Sequence, residues 1–110
     1  MRICVTGGRG MVGSCIKDIT NQYPEHEFVF LHRDIGEHGV ELTSKMYVLT
    51  YFSSQKFDAI IHLAAKVGGL YKNMNNNPEM LIDNLRINMN VLEACNKYNV
   101  KRGIFCLSSC

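Results

Sequence analysis

The stretch that most constrains this chain is a glycine-rich turn near its start, residues 3–13, Ile-Cys-Val-Thr-Gly-Gly-Arg-Gly-Met-Val-Gly. An apolar run leads into glycines at positions 7, 10 and 13, and an apolar helical pattern follows them. Gly7 lets the chain turn sharply off a strand, and Gly10 lets a ligand approach the backbone. Gly13 lets a helix pack tightly on that strand. The stretch therefore predicts a strand, a tight turn and a helix.

A strand, a glycine turn and a helix form the context that a dinucleotide-binding fingerprint needs. The pyrophosphate of such a ligand lies against free N–H groups at the helix N-terminus, where the helix dipole favours an anion. The spacing here is G-x-x-G-x-x-G rather than G-x-G-x-x-G. We expect a nucleotide-binding loop, and an ordinary structural turn remains the alternative.

Apolar runs and turn residues along the chain predict four strands that alternate with three helices. The strands are expected at 2–6, 27–31, 58–63 and 103–107, and the helices at 11–23, 44–56 and 78–98. Thr43 or Ser44 is a candidate cap for the second helix, whose residues also suit a strand. The third helix is expected to bury an apolar stripe made of Leu81, Leu85, Met89, Leu92 and Cys95.

This alternation predicts an α/β fold of the Rossmann type, a doubly wound parallel sheet that is incomplete after its fourth strand. The expected strand order is 3-2-1-4, with the ligand crevice at the carboxyl ends of strands 1 and 4. Residues 1–110 are expected to form one incomplete NAD(P)-binding domain without a substrate domain.

Composition excludes several classes of protein. The net charge is +2 without a basic stripe, which argues against nucleic-acid binding. No apolar run reaches the roughly 18 residues of a membrane span, and the first strand leaves no room for a signal peptide. The five cysteines and four histidines show no metal-ligand spacing. We therefore expect a cytoplasmic protein with reduced thiols and no metal.

Two segments are candidates for cofactor contacts. Arg33 follows the second strand, where an arginine pairs with the 2′-phosphate of NADP, whereas the adjacent Asp34 suits the ribose of NAD. The pattern favours NADP over NAD. The small residues after His62 suit a flat group such as adenine, or a helix packed on the sheet. We interpret His62 itself as structural.

Polar residues on the last helix and after the last strand are further candidates. Asn84 and Asn88 share a helix face, and the spacing alone indicates that they face solvent. Ser108 follows the fourth strand and suits a hydrogen bond to a substrate carbonyl, whereas Cys110 suits proton transfer. An ordinary turn is the alternative for both.

Three segments together resemble the extended short-chain dehydrogenase/reductases: residues 5–13, residues 62–69 (His-Leu-Ala-Ala-Lys-Val-Gly-Gly) and residues 107–110 (Leu-Ser-Ser-Cys). The resemblance implies NADP(H) as cofactor, and the conversion of GDP-4-keto-6-deoxy-D-mannose to GDP-L-fucose by epimerisation and reduction. It implies that Ser108 polarises the keto oxygen, that Cys110 moves protons and that Asn84 supports the active site. The implied cofactor contacts are Gly7, Gly8, Arg9, Gly10, Met11, Val12, Gly13, Arg33, Asp34, Leu63, Ala64, Ala65, Cys106, Leu107, Ser108 and Ser109.

The chain also departs from that family. It is about a third of the family's usual length, and it contains no Tyr-x-x-x-Lys pair. We therefore expect it to be inactive alone, either as an N-terminal piece of the enzyme or as a binding module or oligomerisation fragment. The fourth strand is expected at a sheet edge, which favours self-association into a homo-oligomer.

Overall fold

The structure is a computed structural model that describes residues 1–8, 11–32, 36, 38–64 and 78–106. Within these residues the predicted alternation of strands and helices is confirmed, and the strands form one parallel sheet. A short 3-10 helix, Thr20–Gln22, follows the first helix. The elements are β1 (Arg2–Thr6), α1 (Met11–Ile19), β2 (Glu27–Phe30), α2 (Lys45–Ser54), β3 (Ala59–His62), α3 (Pro78–Lys97) and β4 (Arg102–Phe105).

The α/β doubly wound class is confirmed, but the expected strand order 3-2-1-4 is wrong. The observed order is β2-β1-β3-β4, so β3 lies beside β1 rather than outside β2. The order therefore reverses between β1 and β3. The carboxyl ends of these two strands, and not those of strands 1 and 4, form the crevice where a ligand of such a fold binds.

The strand order differs because the outer side of β2 is already occupied. His32, just past β2, forms an isolated parallel bridge with Gly39. The N–H of Leu31 donates to Val5 on β1, whereas the next residue, His32, bonds on the opposite side to His38 and Val40. The segment around Gly39, which is not among the predicted strands, thus takes the outer position, and β3 pairs with the free edge of β1.

The second helix is confirmed as a helix rather than a strand. Ser44 is its N-cap, and the Ser44 side chain accepts a hydrogen bond from the N–H of Tyr47 at 3.4 Å. Val48, Tyr51 and Phe52 recur at helical spacing and are buried. Their shared face explains why these β-branched and aromatic residues form a helix here: tertiary packing outweighs their strand propensity.

The predicted buried stripe of α3 is wrong. The helix carries two apolar stripes on opposite sides, and the one that faces the core contains Ile87, Val91, Ala94 and Cys95. Asn90 on the same side is buried and donates to the carbonyl of Leu42 at 2.9 Å. Most of the residues predicted for the core are instead exposed, namely Leu81, Leu85, Met89 and Leu92.

The core lies between the sheet and the helices α2 and α3. Cys4 and Val5 from β1 and Ile60 from β3 are buried at the centre of the sheet. Burial raises the pKa of the Cys4 thiol, and it raises the pKa of Cys95 to about 11. These two cysteines therefore behave as unreactive apolar residues. The other two described cysteines, Cys15 and Cys106, are free and exposed.

Candidate dinucleotide-binding site

The turn after β1 lies directly against the segment that follows β3. Gly7 has a φ of 72°, in the left-handed region that favours glycine. A Cβ on Gly7 would stand 2.9 Å from the Leu63 carbonyl carbon and 2.9 Å from the Ala64 nitrogen. Both the conformation and the space therefore require glycine at this position.

The start of α1 is held equally close to the same turn. A Cβ on Gly13 would stand 2.4 Å from the Gly7 carbonyl oxygen and 2.7 Å from the Cα of Gly8. Two geometric roles that the sequence predicts, the turn at Gly7 and the close helix packing at Gly13, are thus confirmed. The third glycine of the pattern, Gly10, lies outside the described residues.

The first turn of α1 presents exposed apolar side chains beside the glycine turn. Met11 is 85% exposed and Val12 is 56% exposed. Neither side chain is needed by the core, so both are available to a ligand at the helix N-terminus. The first N–H groups of a helix have no partner within the helix, and this favours an anion at the N-terminus of α1.

The carboxyl ends of β1 and β3 are joined by one buried threonine. The hydroxyl of Thr6 accepts hydrogen bonds from the N–H groups of Leu63 at 3.0 Å and Ala64 at 3.1 Å. The same oxygen lies 2.6 Å from Nδ1 of His62. Thr6 and His62 are fully buried, so these bonds are shielded from water.

His62 extends this network to α3. Its Nε2 lies 2.9 Å from Oδ1 of Asn88, and its ring packs at a tilt on Phe105 with centroids 5.2 Å apart. Burial lowers the pKa of His62, and the hydrogen bond to Asn88 opposes this shift. His62 is therefore neutral at pH 7 and structural, as its sequence context indicates.

The asparagines of α3 do not face solvent as expected. Asn88 is half-buried and bonded to His62, and Asn84 is half-buried and engaged in an interaction of its own. The sequence signal for these roles was the poor helix propensity of asparagine, which indicates a specific hydrogen bond. The role of Thr6 had no comparable signal, because a threonine is ordinary in a strand.

The end of β4 lies beside the same crevice. The N–H of Cys106 donates to the carbonyl of His62 at 3.0 Å, so β4 reaches the level at which β3 ends. The structure thus brings together Gly7, Gly13, Leu63, Ala64 and Cys106 at one edge of the sheet. Gly8, Met11 and Val12, also predicted, lie in the glycine turn and at the start of α1. The other nine predicted site residues lie outside the described residues: Arg9, Gly10, Arg33, Asp34, Ala65, Leu107, Ser108, Ser109 and Cys110.

The described residues fit a dinucleotide better than a metal ion. At Gly7 and Gly13 the turn packs against the end of β3 and against α1 more closely than a Cβ would allow, which holds the N-terminus of α1 at the crevice. In the described part of the chain, no group of His, Cys, Asp or Glu side chains is arranged to hold a metal. Nor does any helix there have the length and apolar character to cross a membrane.

Comparison with known proteins agrees with this geometry. The chain is 40% identical to a probable GDP-L-fucose synthase of Drosophila melanogaster and 36% identical to a GDP-L-fucose synthase of Dictyostelium discoideum. The matches cover 99% and 98% of this chain but 33% of each relative. The chain therefore spans about a third of the length of the curated relatives it matches.

A solved structure gives the same result. The GDP-L-fucose synthetase of Naegleria fowleri bound to NADP superposes with a TM-score of 0.80 at 32% identity, over 99% of this chain and 31% of that one. The family model described as "NAD dependent epimerase/dehydratase family" matches residues 3–110. This chain belongs to the NAD-dependent epimerase/dehydratase family.

Proposed function

We propose that this chain binds NADP(H) in the crevice between β1 and β3. The observation that carries the proposal is the contact of the glycine turn with α1 and with the end of β3. This contact, which a Cβ on Gly7 or on Gly13 would not allow, holds the N-terminus of α1 at the carboxyl edge of the sheet. In this proposal the pyrophosphate lies at the N-terminus of α1, beside Met11 and Val12.

The proposed adenosine side of the crevice is formed by residues that follow β2 and β3. Ala64 and Ala65 supply small side chains over which a flat base fits, and Leu63 supplies an apolar side chain beside them. Arg33 supplies a guanidinium that pairs with the 2′-phosphate, which favours NADP over NAD. The Naegleria fowleri relative with bound NADP supports this choice. NAD is the alternative, through a ribose contact to Asp34.

We further propose that the chain is the nucleotide-binding part of an enzyme similar to GDP-L-fucose synthase. Bound NADPH supplies a hydride for reduction of a keto sugar. Ser108 would donate a hydrogen bond to the keto oxygen of GDP-4-keto-6-deoxy-D-mannose, and Cys110 would move a proton at the neighbouring carbon. The two GDP-L-fucose synthase relatives support this substrate class.

The complete reaction is proposed to need protein outside residues 1–110. The chain spans about a third of its relatives and holds no Tyr-x-x-x-Lys pair. We propose that residues 1–110 form one nucleotide-binding domain and that the nucleotide-sugar site is completed elsewhere. A binding module that performs no chemistry is the second candidate, and the missing pair favours it for this chain alone.

Titration of the 110-residue chain with NADPH and NADH, followed by fluorescence or calorimetry, tests the cofactor. We expect saturable binding with NADPH preferred, and loss of binding in Gly10→Val, because a branched side chain would fill the pyrophosphate position. Thr50→Val, at an exposed position of α2, is the control for the added valine. If wild type and Gly10→Val bind NADPH equally, the glycines form only a structural turn and do not contact the cofactor.

An activity assay separates the enzyme from the module. NADPH oxidation is followed with GDP-4-keto-6-deoxy-D-mannose as substrate. We expect none from the chain alone, since a positioned general acid contributes about a hundredfold to ten-thousandfold in rate and sugar positioning contributes more. Turnover by the purified chain would contradict the proposal that catalysis needs further protein.

We also propose that the protein is cytoplasmic and forms a homo-oligomer. The free cysteines of the described part support a reducing compartment. An exposed apolar stripe on α3 supports self-association: Ile82, Leu85, Met89 and Leu92 recur at i, i+3, i+7 and i+10, the spacing of paired helices. A second copy presenting the same stripe is its proposed partner.

A further inference from the structure

One hydroxyl group stands at the centre of the crevice floor. Thr6 is the residue before Gly7, and its Oγ1 has three partners within hydrogen-bond distance: the N–H groups of Leu63 and Ala64 and the ring nitrogen Nδ1 of His62. The two N–H groups lie just past β3, where the strand ladder no longer pairs both. The hydroxyl therefore ties the end of β1 to the end of β3.

The three partners determine where the protons lie. A threonine hydroxyl has one proton and two lone pairs. The N–H groups of Leu63 and Ala64 can only donate, so they occupy both lone pairs. The hydroxyl proton must then point to Nδ1 of His62, which accepts it at 2.6 Å. The ring proton is therefore on Nε2, which donates to Oδ1 of Asn88 at 2.9 Å.

This chain of bonds has one consistent arrangement. Asn88 must present its oxygen, and not its amide nitrogen, to His62. A second proton on the ring would face the Thr6 hydroxyl proton and break one of the three bonds to Oγ1. Burial lowers the pKa of His62, which agrees with a ring that stays neutral.

We propose that Thr6, His62 and Asn88 form one positioning chain that sets the distance between the glycine turn and the end of β3, with His62 fixed as its neutral Nε2–H tautomer. A Cβ on Gly7 would stand 2.9 Å from the Ala64 nitrogen, so the glycine turn and the end of β3 are in close contact and a shift of one segment displaces the other. The three residues position the site and do not touch the reacting atoms. That the site holds NADP(H) rests on the proposed function, whereas the tautomer does not.

The first test reads the tautomer directly. Two-bond ¹H–¹⁵N correlation spectra of the chain labelled with ¹⁵N-histidine distinguish the Nε2–H from the Nδ1–H form. We expect the Nε2–H pattern for His62 in wild type and in Thr6→Ser, which keeps the hydroxyl. Thr6→Val, which keeps the shape and removes the hydroxyl, should lose that pattern. Thr50→Val, at an exposed position of α2, is the matched control and should change nothing.

The second test reads the cofactor site. Thr6→Val should weaken NADPH binding about tenfold, while Thr6→Ser should bind like wild type. In Thr6→Val the N–H of Ala64 loses the hydroxyl that accepts its hydrogen bond, and the N–H of Leu63 keeps only the Thr6 carbonyl, at 3.3 Å. Rescue by serine separates positioning by the hydroxyl from a general loss of packing. A Thr6→Val protein that keeps both the Nε2–H pattern and wild-type affinity would overturn the proposal.

A third variant decides the question if Thr6→Val does not fold. Asn88→Ala removes the side-chain oxygen that accepts the hydrogen bond of His62, and it changes no residue of the sheet. The variant should broaden or shift the His62 signal and weaken NADPH binding. Asn96→Ala, at an exposed position of the same helix, is its control. The Nδ1–H form in wild type would refute the chain of bonds. A wild type with the Nε2–H form that binds no NADPH would instead refute the proposed function.

Discussion

Gly13 of α1 approaches Gly7 so closely that a Cβ on Gly13 would stand 2.4 Å from the Gly7 carbonyl oxygen. The first atom of any side chain at residue 13 would therefore push the helix away from the strand. Since the atom it would meet belongs to the backbone, no rotamer change can relieve the clash. The two glycines together set how near the N-terminus of α1 lies to the crevice.

Gly13→Ala is therefore expected to destabilise the chain although alanine favours helices. Overpacking of this kind typically costs about 1–3 kcal/mol, more than the gain in helix propensity. Thermal or urea unfolding followed by circular dichroism measures it. Ser14→Ala, at the exposed neighbouring position, is the control and should be neutral or slightly stabilising. A Gly13→Ala protein as stable as wild type would contradict the close packing.

Arg33→Ala is expected to lower affinity for NADPH far more than for NADH. A charge-assisted contact to the 2′-phosphate contributes roughly 1.5–3 kcal/mol, which corresponds to about a tenfold to hundredfold change in affinity. Titration of both nucleotides against both proteins measures it, with Arg86→Ala on α3 as an exposed control. Equal losses of affinity for the two nucleotides would show that Arg33 does not contact the 2′-phosphate.

Leu85→Lys is expected to disrupt self-association through α3. Leu85 lies within the exposed stripe and is 55% exposed, so a lysine there is tolerated in the isolated chain but not between two apolar helix faces. Light scattering after size-exclusion chromatography should show at least tenfold weaker association. Ile104→Lys on the edge strand β4 is the comparison variant. If Ile104→Lys dissociates the oligomer and Leu85→Lys does not, the edge strand is the interface.

The stability of the chain is expected to fall as the pH drops below about 6.5. Burial depresses the pKa of His62, so the folded protein binds fewer protons there than the unfolded chain, whose histidine titrates near 6.5. The stabilisation is complete above that pH and is lost as the pH falls towards the folded pKa. The midpoints of urea unfolding, measured between about pH 5 and pH 8, test this expectation, because the range spans the unfolded pKa of histidine.

The control for this pH dependence is a pair of histidine variants. His62→Gln should flatten the acid side of the stability profile, because glutamine does not titrate there. His26→Gln, near the chain surface, should leave the profile close to that of wild type. An acid side of the profile that His62→Gln leaves unchanged would contradict the depressed pKa of His62.

Much of the fold was predictable because its signals are local. The alternation of apolar runs and breakers indicated the order of strands and helices, and the Ser44 cap and Pro78 marked two helix starts within a residue. The geometry of Gly7 and Gly13 was predictable for the same reason. A tight turn and a close helix contact each require glycine at a fixed spacing, whatever the rest of the chain does.

Tertiary structure decided the strand order and the orientation of α3. The sequence of residues 58–63 does not indicate whether that strand pairs beside β1 or outside β2. The outer side of β2 is occupied by the segment at Gly39, which forms a single isolated bridge, so the strand pairs with β1. The helix offers two apolar stripes of similar quality, and only the position of the sheet and α2 selects the one that contains Val91. The apolar periodicity of a helix predicts which residues share a face, but not which element that face packs against.

The buried bonds at the crevice were beyond the sequence for a related reason. Thr6, His62 and Asn88 are separated by 56 and 26 residues. Asn88 is an unfavourable residue in a helix, but nothing in the sequence indicates that Thr6 and His62 are its partners. The sequence by itself determined the glycine turn and the elements on either side of it. Only the parallel pairing of β1 with β3 and the packing of α3 brought these three side chains together, because hydrogen bonds of this range depend on how the elements are arranged and not on their spacing along the chain.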